Sequence, residues 1–136
     1  MSFKFEKLEI WQQSLDYADI AYEIADQLPA KERYNLSEQL RRAATSISLN
    51  IAEGSTGQTD KQQSRFLGIA LRSLIETVAC IHLVKRRDYC NTKEAKKRLK
   101  SLYSEANHLA ARMQVMRNSL SDRVGEDEIN YLIDDD

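Results

Sequence analysis

Proline occurs once, at Pro29, and glycine only four times in a chain of 136 residues. So few breaks leave long helices as the natural element. Two cysteines, Cys80 and Cys90, make no disulfide framework, and neither belongs to a metal-ligand pair. The two histidines, His82 and His108, have no histidine, cysteine or carboxylate partner at the spacing of a metal motif. The stretch GSTGQTD, residues 54–60, lacks the lysine and the spacing of a P-loop and reads as a loop. The amino-terminal MSFKFEKLEIW has no long apolar core or small-residue cleavage site, and no segment approaches the length of a membrane span. These absences set the expectations: a cytoplasmic location, no membrane partner, no metal, no cofactor and no identifiable small-molecule substrate.

What is present is helical periodicity. A first helix is expected from Leu8 to Leu28, with Leu8, Trp11, Leu15, Ala18, Tyr22 and Ala25 as its stripe, widened by Ile20, Ile24 and Leu28. Pro29 stops it, and PAKERY is a connector. A second helix is expected to start at Asn35, which stands in capping-box spacing with Glu38, and to end at Gly54 or Gly57 on a left-handed glycine cap. Its face is Leu36, Leu40, Ala43, Ile47, Asn50 and Ile51. A third runs from Thr59 or Asp60 to Arg87 with two stripes, Phe66, Ala70, Leu74, Thr77, Ile81 and Leu67, Leu71, Val78, Val84, which implies more than one neighbour. A fourth starts after Asn91, with Glu94 at the capping-box position, and carries Leu99, Leu102, Ala106, Leu109, Met113, Met116 and Leu120. Four long helices on short connectors predict an all-α, antiparallel up-down four-helix bundle. The bundle domain is residues 1–120, and an acidic tail is residues 121–136.

Charge is unevenly placed. The chain has 20 basic and 21 acidic residues, but the tail holds seven acidic residues against Arg123, a net of −6, which leaves the body at +5. Within the tail, Ile129, Leu132 and Ile133 are apolar and suited either to docking or to a frayed end. Lys85, Arg86 and Arg87 close the third helix, and Lys93, Lys96, Lys97, Arg98 and Lys100 open the fourth. Together they make one end of the bundle basic, a candidate surface for RNA or DNA with Tyr89 and Tyr103 available to stack on bases. For each of these cations taken singly, a solvated face is the plainer explanation. Trp11, Tyr17, Tyr22, Tyr34 and Phe66 are most simply core or interface residues.

The stretch RRAATSISLNIAEGS, residues 41–55, is the most unusual. Arg41 and Arg42 follow Glu38 at ion-pair spacing, or else serve phosphate contact or a subunit boundary. Ala43, Ala44, Ser46 and Ser48 permit close approach of another backbone. Asn50 falls on the core stripe, where an amide needs partners and fixes register. Glu53 stands at a helix carboxyl end, which the dipole disfavours without a compensating partner. No general base is paired with any of these hydroxyls, so no catalytic residue is assigned.

Three segments carry a family resemblance: FEKLEIWQQSLDYA at residues 5–18, LSEQLRRAATSISLNIAEGS at 36–55 and SRFLGIALRSLIET at 64–77. The chain resembles the small bacterial proteins encoded in intervening sequences of 23S ribosomal RNA genes, also labelled S23 ribosomal proteins. The resemblance covers roughly residues 3–120. It implies a four-helix bundle without enzymatic activity that assembles as a ring-shaped homo-oligomer, a pentamer by first choice. It also implies distant kinship with the basic pentameric accessory proteins of diversity-generating retroelements, which engage nucleic acid. Arg72 stands where the family usually has glycine before the serine, so Arg72 joins Arg41, Arg42, Asn50 and Glu53 as packing or interface candidates. The resulting reading is a non-enzymatic bundle protein that self-associates and mediates interactions. The alternative is a nucleic-acid-binding accessory protein, and a hydrolase or transferase built on Glu53 ranks behind both.

Overall fold

Pro29, with φ −57° and ψ 152°, turns the chain between the first two long helices of the computed structural model, which describes residues 2–56 and 59–120. Helix α1 spans Glu9–Asp26, α2 Leu36–Gly54, α3 Asp60–Arg86 and α4 Lys93–Leu120. Short 3-10 turns cover Lys4–Lys7 and Ala30–Glu32. Helix α1 packs on α2 and α4, and α3 packs on α2 and α4, the neighbour pattern of an antiparallel up-down four-helix bundle. The expected tail around Ile129, Leu132 and Ile133 and the expected glycine cap at Gly57 lie outside the described residues.

The α4 stripe is where periodicity places it: Leu99, Leu102, Ala106, Leu109 and Met113 are buried, and Met116 and Leu120 pack at its lower end. Both α3 stripes are used inside one subunit, because α3 lies between α2 and α4; Leu67, Ala70, Leu71, Leu74, Ile81 and Val84 are all buried. By length and composition alone α3 is apolar enough to cross a membrane, contrary to expectation, with a window of mean hydropathy 1.7. Half of that window is buried against the other helices, so its role as a core helix accounts for the apolarity.

Helix α1 differs from expectation. Its core line is Ile10, Ser14, Tyr17, Ala21 and Ile24, whereas Leu15 and Tyr22 are exposed and Trp11 is half-buried against Phe5, ring centroids 4.8 Å apart. Tyr17 is therefore a core residue and not an interface one. Its hydroxyl pairs with Thr77 on α3 at 2.6 Å, and burial pushes its pKa up. Tyr34 is neither core nor covered: it is exposed beside the Arg33 guanidinium.

The caps also differ. Asn35 precedes α2, but its side chain makes no cap bond to the helix; it donates to Glu32 and accepts from Gln39. Helix α3 is capped by Thr59, which accepts from the Gln62 amide. In α4 the cap is Thr92, accepting from the Ala95 amide, one residue later than the expected Asn91–Glu94 pair. Gly54 closes α2 without a left-handed turn. A Cβ there would stand 2.9 Å from the Phe66 Cβ, so glycine serves the close approach of α2 to α3.

Glu32 ties the connector to the opposite side of the bundle. It accepts from the Tyr89 hydroxyl at 2.7 Å and from the Asn35 amide at 2.9 Å. These bonds, the Tyr89 one first, hold the Glu32 carboxyl below its usual range, and the same bond raises the Tyr89 pKa. A carboxylate lowered in the folded state stabilises above its unfolded pKa, and that stability is lost as pH falls through the folded pKa. Glu32→Gln is therefore expected to lower Tm at neutral pH, with the difference from wild type shrinking below pH ~4. A pH-independent difference in thermal melts between neutral pH and about pH 3 would contradict the assignment.

Candidate interaction faces

The motif RRAATSISLNIAEGS has two faces. Ala43, Ala44, Ile47, Ser48, Ile51, Gly54 and Ser55 are buried. The opposite face lines two open grooves that meet at Leu49. The upper, of about 340 Å³, is formed by Tyr22, Arg41, Arg42, Thr45, Ser46, Leu49 and Asn50. The lower, of about 700 Å³, is formed by Phe3, Lys4, Phe5, Leu49, Ala52, Glu53, Ser55 and Thr56. Leu49 is 62 % exposed and Phe3 71 %, and Tyr22, which lines the upper groove, is also uncovered. The helical period produces this arrangement, because a face needed for close packing on α3 leaves its back to solvent.

The polar residues of that back face are held in place. Arg41 reaches Asp26 on α1 at 2.7 Å, not Glu38; Arg42 takes Glu38, at 3.6 Å. Tyr22 and Thr45 share a hydroxyl pair at 2.8 Å, a second link from α1 to α2. Asn50 is half-buried on the groove side and not in the core. Its amide donates to the Ser46 carbonyl and hydroxyl, and the Ser73 hydroxyl of α3 donates to the same Ser46 oxygen at 2.9 Å. Asn50 thus joins a polar link between α2 and α3. Glu53 is exposed on the rim of the lower groove, away from the Asn50 chain.

The basic end is a separate surface. Lys85, Arg86, Arg87, Lys93, Lys96, Lys97 and Lys100 are exposed. Arg98 is set apart from them: it reaches across to α1, 3.1 Å from Glu23 and 2.9 Å from Gln27, and acts as a staple between α4 and α1. Tyr89 is taken up by Glu32, but Tyr103 is 44 % exposed, with His82 edge-on to its ring and the Lys85 ammonium 6.0 Å from its centroid.

Sequence reasoning missed Arg117. It lies buried near the end of α4, donates from Nε to Ser64 at 3.1 Å, and fills the space that a side chain at residue 68 would occupy. Gly68 in the middle of an apolar helix is the signal that a large group from elsewhere needs room there. Burial first, and then the charge of Arg72, hold the Arg117 pKa below its usual range, and Arg72 itself is exposed. Among the described residues no group of three or more His, Cys, Asp or Glu is placed to hold a metal ion.

Bundle, motif face and basic end together define a small helical-bundle protein whose most distinctive motif buries one face of α2 and leaves the other open. The family described as 23S rRNA-intervening sequence protein matches residues 6–114, and the chain belongs to it. It is a small helical-bundle protein of that family. No curated protein matches the chain.

Proposed function

We propose that this protein works by self-association and interaction, assembling as a closed homo-oligomeric ring with five subunits the first choice, in the cytoplasm. The observation that carries the reading is Leu49, exposed at the centre of the motif's outer face between two grooves. A patch that joins Leu49, Tyr22 and Phe3 is covered or remains sticky, and a cyclic arrangement covers it without open-ended growth. Arg41, Arg42, Asn50 and Glu53 supply a polar rim of both signs around it, which suits a specific contact. The number five rests on the family resemblance alone. Light scattering across a concentration series tests the reading. A mass several times that of the subunit is expected, and a monodisperse monomer at micromolar protein would end it. A stable dimer or tetramer would remove only the pentamer.

Tyr103 favours a second reading, in which the basic end binds RNA or DNA. A half-exposed ring beside Lys85, with Arg86, Lys96 and Lys100 on the same end of the bundle, offers a stacking surface among phosphate contacts. Labelled RNA and DNA titrated at low and moderate salt should show an affinity that falls by a log–log slope of about 0.7–0.9 per phosphate neutralised. Tyr103→Ala should cost about 1–3 kcal/mol if it stacks on one base. No binding at low salt removes this reading and leaves self-association untouched.

A further inference from the structure

We propose that the connector between α1 and α2 supplies a second stacking platform, Tyr34 backed by Arg33, and that the ligand it holds is single-stranded nucleic acid. The inference rests on the basic-end reading and names a further contact and the class of ligand for it. In sequence the connector lies far from Lys85 and the other cations of that end. The fold brings them together. Helix α1 ends and α2 begins at the end of the bundle where α3 ends and α4 begins. The Tyr89 hydroxyl, in the α3–α4 turn, donates to Glu32 of the connector at 2.7 Å, and the exposed Lys31 places its ammonium 5.7 Å from the Tyr89 centroid.

Tyr34 is 80 % exposed, and the Arg33 guanidinium lies over its ring, 5.3 Å from the centroid. The arrangement repeats that of Tyr103 with Lys85, at 6.0 Å. A cation beside an open ring offers a phosphate contact and a π-face in one place, which suits a base together with its own backbone. A recess of about 330 Å³ beside Arg33, walled by Leu28, Pro29 and Ser37, gives the neighbouring backbone room. Carboxylates offset these cations little. Among the described residues at this end, Asp26 pairs with Arg41, Glu38 with Arg42 and Glu94 with Arg98, and Glu32 is buried under its bonds from Tyr89 and Asn35. Exposed Asp88 stands outside such pairs. Away from its ends, a duplex keeps the faces of its bases inside its own stack and offers these rings no face, whereas an unpaired base does. Because α2 and α4 stand diagonally in the bundle, a strand that reaches both rings crosses the end, where Arg87 and Lys93 are exposed.

Fluorescence anisotropy with the full chain at low salt tests it. The probes are labelled oligo-uridylate, oligo-thymidylate and an oligo-thymidylate–oligo-adenylate duplex, each about 16 nucleotides long, the upper end of known site sizes. The wild type is expected to bind the single strands more tightly than the duplex. Tyr34→Ala is expected to weaken the single strands by about 5- to 150-fold, the loss of one stacked base, and to leave the duplex nearly unchanged. Tyr34→Trp, which keeps an open ring, should restore the affinity. The exposure of Tyr34 means that none of these variants disturbs the core, and circular dichroism checks this. Unchanged single-strand affinity in Tyr34→Ala, beside a loss in Tyr103→Ala, overturns the proposal and leaves the basic-end reading standing. A duplex held as tightly as the single strands, an equal loss on both, or no restoration by tryptophan also overturns it, because the contact is then not stacking. No binding of any probe by the wild type removes the basic-end reading and this inference together.

Discussion

Tyr17→Ala is expected to cost about 3–5 kcal/mol of stability, the range for removing a large buried aromatic. Tyr17 is 1 % exposed, at the middle of the α1 core line. Its removal leaves a cavity between α1 and α3 and strips Thr77 of its hydroxyl partner. Thr77 keeps its own bond to the Leu74 carbonyl, so Tyr17→Phe, which preserves the ring, should lose only about 0.5–1.5 kcal/mol. Chemical denaturation at fixed protein concentration separates the two contributions. Equal losses for alanine and phenylalanine would mean that the hydroxyl pair, and not the packing, is what Tyr17 supplies.

Gly54→Val is expected to be the other severe change, and Gly54→Ala a milder form of it. Helix propensity favours alanine over glycine by about 0.5–1 kcal/mol. Here that gain is outweighed. The new Cβ would meet the Phe66 Cβ at 2.9 Å and the Gln63 backbone oxygen at 3.4 Å, and neither atom can swing aside. Helices α2 and α3 must part, at an overpacking cost of about 1–3 kcal/mol. Gly68→Ala, where α3 meets α4, is a contrast, since the nearest atoms to its Cβ are the guanidinium end of Arg117, at 2.7–2.9 Å, which has torsions to absorb the contact. Thermal melts should rank Gly54→Val below Gly54→Ala, and Gly54→Ala below wild type. A higher Tm for Gly54→Ala would show that the close approach carries no constraint.

Much of this fold was legible because three helices carry one dominant apolar line each, or two that are both used. Helix α1 was not, for a definite reason. Its apolar residues mark two lines one step apart, and the true core line holds Ser14 and Ala21, small residues that let neighbours come close. The outer line looks more hydrophobic because it carries Leu15, Tyr22 and Trp11. Trp11 is explained by Phe5, a contact from the 3-10 turn that no periodicity reveals. Asn50 was placed in the core by the same arithmetic, yet 3.6-residue turns carry it to the shoulder, where it bonds Ser46 of its own helix. Among the basic residues, sequence cannot separate Arg98 from Lys97, since the difference lies in Glu23 and Gln27, which belong to α1. The motif itself was recognisable, but its division into a packed face and a solvent face needed the partner helices.

In the proposed assembly the outer face of α2 joins one subunit to the next. Native mass spectrometry of the wild type beside Leu49→Asp tests it most directly. Leu49 is exposed within one subunit, so the substitution leaves the core intact. The wild type should appear as a single closed oligomer, with five subunits the first expectation. Leu49→Asp should appear as folded monomer, with helical content and Tm checked by circular dichroism, because a carboxylate buried in an apolar contact is strongly unfavourable. An oligomer whose mass and concentration dependence are unchanged by Leu49→Asp would contradict the account.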